Sequence, residues 1–173
     1  GGINVNMQSG WTNVTGLTIK AQNSCTLDGN DRPTSCPTSI TNFQLAYTGA
    51  EGKSVQLSNF RMTGGQNVAI AIWISGTSKS WRIDHIYFDS MAATSRIIWH
   101  DESGPTDVTY GLIDHNFVKN PNAIFFHTQP SNGGNYSWMR PLDLGGPDAI
   151  YFENNTFHLD TFTLSEGITD CNG

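Results

Sequence analysis

The sequence predicts an all-β chain wound as a parallel β-solenoid, and three observations carry that expectation. One phrase recurs along the chain, a second apolar segment precedes it in several places, and no helix-length apolar stripe occurs. The near copies are Trp81-Arg-Ile-Asp-His-Ile-Tyr-Phe88, Tyr110-Gly-Leu-Ile-Asp-His-Asn-Phe117 and Ile150-Tyr-Phe-Glu-Asn-Asn-Thr-Phe157. Self-similarity of this kind marks repeat architectures, whose single units cannot bury their own apolar face and therefore stack.

Taken in order, the units align on apolar ends five residues apart with a polar third position: Leu57 to Met62, Ile83 to Phe88, and Phe152 to Phe157. Val14 to Ile19 fits more loosely, and Ile113 to Phe117 reads as one residue short. Ile40 to Leu45 lies too close to Leu57 for a full turn between them. Upstream of three copies stand the second apolar segments, Val68 to Ile74, Arg96 to His100 and Ala123 to His127. These runs are short, rich in Ile, Val and aromatics, and bounded by Gly, Asn, Ser and Pro, which reads as strand rather than helix. Coils stacked at about 4.8 Å give each such strand a partner above and below. A propeller would show a longer period with four strands per unit, and a sandwich would not repeat one phrase in phase. Leu57, Ile70, Ile72, Ile83, Phe88, Ile97, Ile113, Phe117, Ile124, Phe152 and Phe157 are the expected interior. Residues 1–173 read as a single domain with loop insertions at about 24–39 and about 128–148.

The pattern resembles the right-handed parallel β-helix repeat family, the pectate-lyase-like superfamily. The likeness is carried by Trp81 to His85 with Phe88, by Gly111 to Asn116 with Phe117, and by Ala149 to Phe157, and it covers Val55 to Gly173. It implies a right-handed coil, but the superfamily hosts lyases, hydrolases, adhesins and phage spikes, so it selects no single function.

Composition narrows the partners. The formal net charge is -6 and only nine Lys and Arg are present, scattered along the chain, so no basic patch points to nucleic acid or to an anionic membrane. An acidic surface bearing aromatics suits a neutral polysaccharide or one bridged by cations. No stretch reaches the roughly twenty apolar residues of a spanning helix. The chain opens on Gly1 without an initiating Met, and it is expected to be mature secreted material or a fragment. Its last residues, Gly167 to Gly173, read as the start of another coil, so continuation in a longer solenoid or end-to-end self-association is expected.

Cys25 and Cys36 flank the polar loop 26–35 and are expected to be bridged, which implies an oxidising compartment and a secreted or cell-surface location. Cys171 is left without an evident partner. Asn13, Asn135 and Asn154 open glycosylation triplets.

For chemistry, the repeated phrase places Asp84, Asp114 and Glu153 in one column and His85, His115 and Asn154 in the next. With Asn59, the second column is expected to be a structural ladder at the bend. The first is expected to be solvated or to hold a cation. A richer run, Trp99-His-Asp-Glu102, follows a strand and opens a loop, and His127 ends the corresponding strand one turn on. The expected surface stripe is Trp73, His100 and His127, beside a long loop carrying Tyr136, Trp138 and Arg140. Long loops of this kind usually serve function. Trp73, Trp99, Tyr136 and Trp138 are the candidates for stacking on sugar rings, and His100, Asp101, Glu102, His127 and Arg140 for acid–base work. Asp101, Glu102 and Asp114 are the candidate ligands of calcium, the one cofactor implied. A polyuronate lyase would use Arg140 or Lys119 as base, and a glycoside hydrolase would pair Asp101 or Glu102 with Asp114. The linear calcium motif and the arginine-centred motif of pectate lyases are not found in the sequence. The functional expectation is an extracellular carbohydrate-interacting protein, a polysaccharide lyase or glycoside hydrolase if catalytic. The alternative is a noncatalytic surface, spike or filament component.

Overall fold

Strands of two to seven residues cannot stand alone, and all but one short antiparallel pair find their partners one repeat away. The computed structural model describes residues 2–7, 15–42, 44–64, 70–91, 96–102, 109–121, 123–130 and 149–160. Among these residues there are seventeen strands and no helix. A first sheet contains β1 (Gly2–Met7), β6 (Gln44–Gly49), β9 (Ile70–Gly76), β12 (Arg96–Glu102) and β15 (Ile124–Pro130). A second holds β2 (Gly16–Lys20), β7 (Ser54–Ser58), β10 (Ser80–Asp84), β13 (Gly111–Asp114) and β16 (Ile150–Glu153). A third holds β5 (Ser39–Thr41), β8 (Arg61–Thr63), β11 (Tyr87–Asp89), β14 (Phe117–Lys119) and β17 (Thr156–His158). Every pairing in these three sheets is parallel. The chain visits the sheets in turn and then returns to the first one rung higher, giving five rungs, a topology compatible with a β-solenoid.

The bends explain why the phrase repeats. Between the second and third sheets, Asn59, His85, His115 and Asn154 take left-handed backbone angles, with φ of 63, 51, 51 and 53°. Short polar side chains tolerate that region far better than branched ones. The residue after each bend turns inward: Phe60, Ile86 and Asn116 are buried. Asn116 donates through Nδ2 to the Ile83 carbonyl and accepts the Ile86 amide at 2.9 Å. Asn155 repeats this one rung on, donating to the Ile113 carbonyl and accepting the Asn116 amide. The amide ladder that satisfies the bend thus runs through Asn116 and Asn155, while His85 and His115 stack outside it with ring centroids 5.2 Å apart.

The register corrects the sequence alignment. Ile19 stands on Leu57 and Ile40 on Met62, so the first unit begins at Ile19 and is interrupted by an insertion. That insertion occupies residues 21–38, where the other corners between these sheets have two residues. It contains the antiparallel pair β3 (Thr26–Leu27) and β4 (Pro33–Ser35), and the Cys25–Cys36 disulfide closes it, with S–S at 2.03 Å. Ile113 stands on Ile83 and Val118 on Phe88, so that unit is full length rather than one residue short. Phe117 therefore sits outward beside Tyr87, and Val118 is fully buried in its stead.

Leu57, Ile70, Ile72, Ile83, Phe88, Ile97 and Ile113 are buried as expected, whereas Ile124, Phe152 and Phe157 are 53, 46 and 53% exposed. Ile124 pairs with Arg96, and Phe125 takes the interior place edge-on to Phe88 and Phe157. Phe152 and Phe157 do continue the inward columns of Ile113 and Val118, but they lie on the last described rung, with no described strand beyond them. The loop expected from residue 128 starts later, because β15 runs to Pro130; residues 131–148 lie outside the described residues.

Candidate functional site

Side chains alternate across a strand, so the residues flanking the chemistry-rich run fall on opposite faces. The run Trp99 to Glu102 continues β12 instead of opening a loop. Trp99 pairs with Trp73 below and His127 above, while His100 pairs with Ile74 and Thr128. The outer column is therefore Trp73, Trp99 and His127, and His100 belongs to the interior column. The two indoles stack on each other at 5.1 Å and 11°, the Arg96 guanidinium lies 4.9 Å over Trp99, and His127 meets Trp99 edge-on. Burial, with the nearby Arg96 charge, pushes the His127 pKa below the usual imidazole range. The Trp99 ring thus spends its faces on protein neighbours, so it is poorly placed to stack on a sugar.

His100 is 1% exposed. Its Nδ1 lies 3.0 Å from the Thr128 hydroxyl and its Nε2 2.7 Å from the Thr109 hydroxyl, which also accepts the Trp81 indole N–H at 3.1 Å. A histidine so satisfied is a structural bridge across the interior. Asp101 is half-buried on the outer side of β12, paired along the ladder with Ser75. Glu102 ends β12 opposite Pro130, and its side chain lies outside the described residues, as do Tyr136, Trp138 and Arg140. Asp114 lies on the second sheet, so the candidate ligands Asp101, Glu102 and Asp114 are spread over two sheets. Among the described residues no group of three or more His, Cys, Asp or Glu is placed to hold a metal ion.

Of the acidic column, Glu153 on the last described rung is exposed, whereas Asp84 and Asp114 are drawn into a hydrogen-bond network. Asp84 and Asp114 are 3 and 2% exposed. Arg82 forks onto Asp114, donating from Nε at 2.8 Å and from Nη2 at 2.6 Å, a bidentate geometry that fixes both partners. Asp84 accepts from Gln56 Nε2 at 2.7 Å and from the Ser58 hydroxyl at 2.9 Å. His85 and His115 each place Nδ1 2.8 Å from the preceding carboxylate. Burial alone would raise the Asp114 pKa, but the hydrogen bonds and charges of Arg82 and His115 outweigh it and hold the carboxyl below its usual value.

Beside this network the outer face of the second sheet is open. Gly16, Ser54 and Ser80 form a column of small residues, and the next outward column is Thr18, Gln56, Arg82, Leu112 and Tyr151. Together they floor a groove of about 480 Å³ lined by all five rungs, from Gly16 and Thr18 to Tyr151 and Glu153. Beneath it the interior column runs Leu17, Val55, Trp81, Gly111 and Ile150. A Cβ on Gly111 would lie 2.1 Å from the Trp81 ring, so only glycine lets the indole fill that place. Of these groove residues only Glu153, at the end of the acidic column, carries a chemical signature in the sequence. The usable signal is positional: Gly16, Ser54 and Ser80 each immediately precede an inward Leu17, Val55 or Trp81.

No family model, curated protein or solved structure matches the chain.

Proposed function

We propose that this chain is a right-handed parallel β-helix, secreted or displayed at a cell surface, that binds a polysaccharide along the outer face of its second sheet. The hand follows from the strong preference of parallel strand–crossover–strand connections for the right-handed path. The observation that carries the binding reading is the groove that crosses all five rungs. Rungs about 4.8 Å apart present polar groups at a regular interval along one line, which suits a linear polymer of repeating polar units better than a compact ligand. Gln56, Lys79, Arg82, Tyr151 and Glu153 offer donors, acceptors and one aromatic ring there. Binding is favoured over cleavage because the carboxylates that would make a glycosidase pair, Asp101 and Asp114, stand on different sheets, and Asp114 is already held by the Arg82 fork. The Cys25–Cys36 disulfide supports an oxidising location, and no helix among the described residues is long and apolar enough to cross a membrane.

The test is affinity electrophoresis of the chain through gels containing xylan, mixed-linkage β-glucan, alginate or polygalacturonate. At least one polymer should retard it, and Ser80→Trp, which places a bulky ring on the small-residue column, should restore free migration without altering thermal stability. Absence of retardation by every polymer, or retardation that Ser80→Trp leaves intact, would contradict the reading and leave a rod-like structural role standing.

A further inference from the structure

We infer that residues 21–38 form a redox-dependent strap that fastens the first rung to the third and fourth across the outside of the third sheet. The insertion leaves the chain after β2 and rejoins it at β5, yet its contacts lie well above its own rung. The Cys25 sulfur lies 3.8 Å from the His85 carbonyl oxygen, on the third rung. Strand β4 packs beside β11, and the Arg32 guanidinium sits 6.0 Å over the ring of Phe117, on the fourth. Cys25 and Pro33 are buried, whereas Leu27, Gly29 and Asn30 at the tip are exposed.

The strap's own shape rests on few interactions besides the disulfide. Two strands of two and three residues form a hairpin far below the size that is stable alone. Its turn is organised by one carboxylate: Asp28 accepts the amides of Asn30 and Arg32 at 2.8 and 3.1 Å and the Arg32 Nε at 2.6 Å. These interactions are exposed or half-exposed and local, so they shape the turn without anchoring it to the body. The one crosslink, by contrast, closes a loop of sequence separation 11 at the base of the hairpin. Because both cysteines belong to the insertion, the bond constrains the strap and leaves the three-sheet body untouched. Reduction is balanced by an external dithiol: two electrons break the Cys25–Cys36 bond, each sulfur takes up a proton, and the dithiol becomes a disulfide. The freed segment then loses the ordering that kept Arg32 on Phe117, and the outward Phe117 ring is uncovered.

Amide hydrogen exchange of the oxidised chain, of the chain in dithiothreitol, and of the double variant Cys25→Ser/Cys36→Ser tests this. Loop-closure entropy predicts that the Asp28 and Asp31 amides exchange about a hundredfold faster in the latter two, while Ile83 and Ile113 in the body keep their protection. In the oxidised chain Arg32→Ala should speed strap exchange by only about two- to fivefold. Unchanged strap protection after reduction would overturn the inference, and so would loss of protection throughout β10 to β14. A collapse of the oxidised strap on Arg32→Ala alone would overturn it too, by placing the anchor in the Arg32 side chain, through Asp28 and Phe117, rather than in the disulfide.

Discussion

The outer faces of the first and second sheets are built on the same rungs and differ in what their side chains do to one another. On the first, Trp73, Trp99, Arg96 and His127 consume each other's surfaces. On the second, Gly16, Ser54 and Ser80 carry small side chains or none, and a groove remains above them. Chemical richness in a sequence therefore marks the saturated face here, while the plain residues leave the accessible one. The same logic separates two histidines 27 positions apart: His100 is locked inside by two threonine hydroxyls, and His127 stands on the outer column.

Substitutions can break this contrast. The largest effect is expected at His100: changing it to Ala removes a buried ring and leaves the buried Thr109 hydroxyl without its imidazole partner, costing about 2 to 4 kcal/mol in denaturant unfolding. His127→Ala should stay within about 1 kcal/mol; equal losses at the two sites would erase the distinction. Next comes Gly111→Ala, which drives a methyl into the Trp81 ring and should cost about 1 to 3 kcal/mol by overpacking. A double change with Trp81→Phe should recover part of that loss, since the two residues share one space. Tyr151→Ala on the groove should be smaller still in stability, about 0.5 kcal/mol, yet weaken polysaccharide retention several-fold; Trp99→Ala should do the reverse.

The smallest effect near neutrality is the dependence on pH. Asp114 has its folded pKa depressed, so the stability it contributes is fully present above the unfolded value of about 3.9 and is lost as the pH falls through the lower folded value. The Asp114 contribution should therefore be flat from pH 7 to about 5 and decline below 4, while His127, whose folded pKa is depressed, adds a separate loss as the pH falls through the unfolded imidazole value of about 6.5. Asp114→Asn should flatten that acid limb relative to the parent, measured as the urea midpoint against pH. An acid limb of unchanged steepness would show that the Arg82–Asp114 pair contributes nothing there.

The sequence made the architecture legible because each bend demands a residue that tolerates left-handed backbone angles, so Asn59, His85, His115 and Asn154 recur in phase. Register was legible only where that bend is short. At the first unit the insertion separates Ile19 from Ile40, and the alignment slid onto Val14. At the fourth, Phe117 mimicked an apolar end that belongs to Val118; a slip of one residue moves a side chain to the other face. That parity error also put His100 outside, because Ile97 and Ile98 are both buried and the local alternation gives no phase. The disulfide was readable from two cysteines bracketing a polar segment. The groove was not, since it arises from size differences between columns that only the stacked register reveals.

Ligand binding to the second sheet is tested most directly by a hydrogen-exchange footprint. With a retarding polysaccharide bound, the amides of β7, β10, β13 and β16 and their flanking bends should gain protection while those of β9 and β12 stay unchanged. Protection confined to β9, β12 and β15 would place the ligand on the aromatic face of the first sheet and contradict the account.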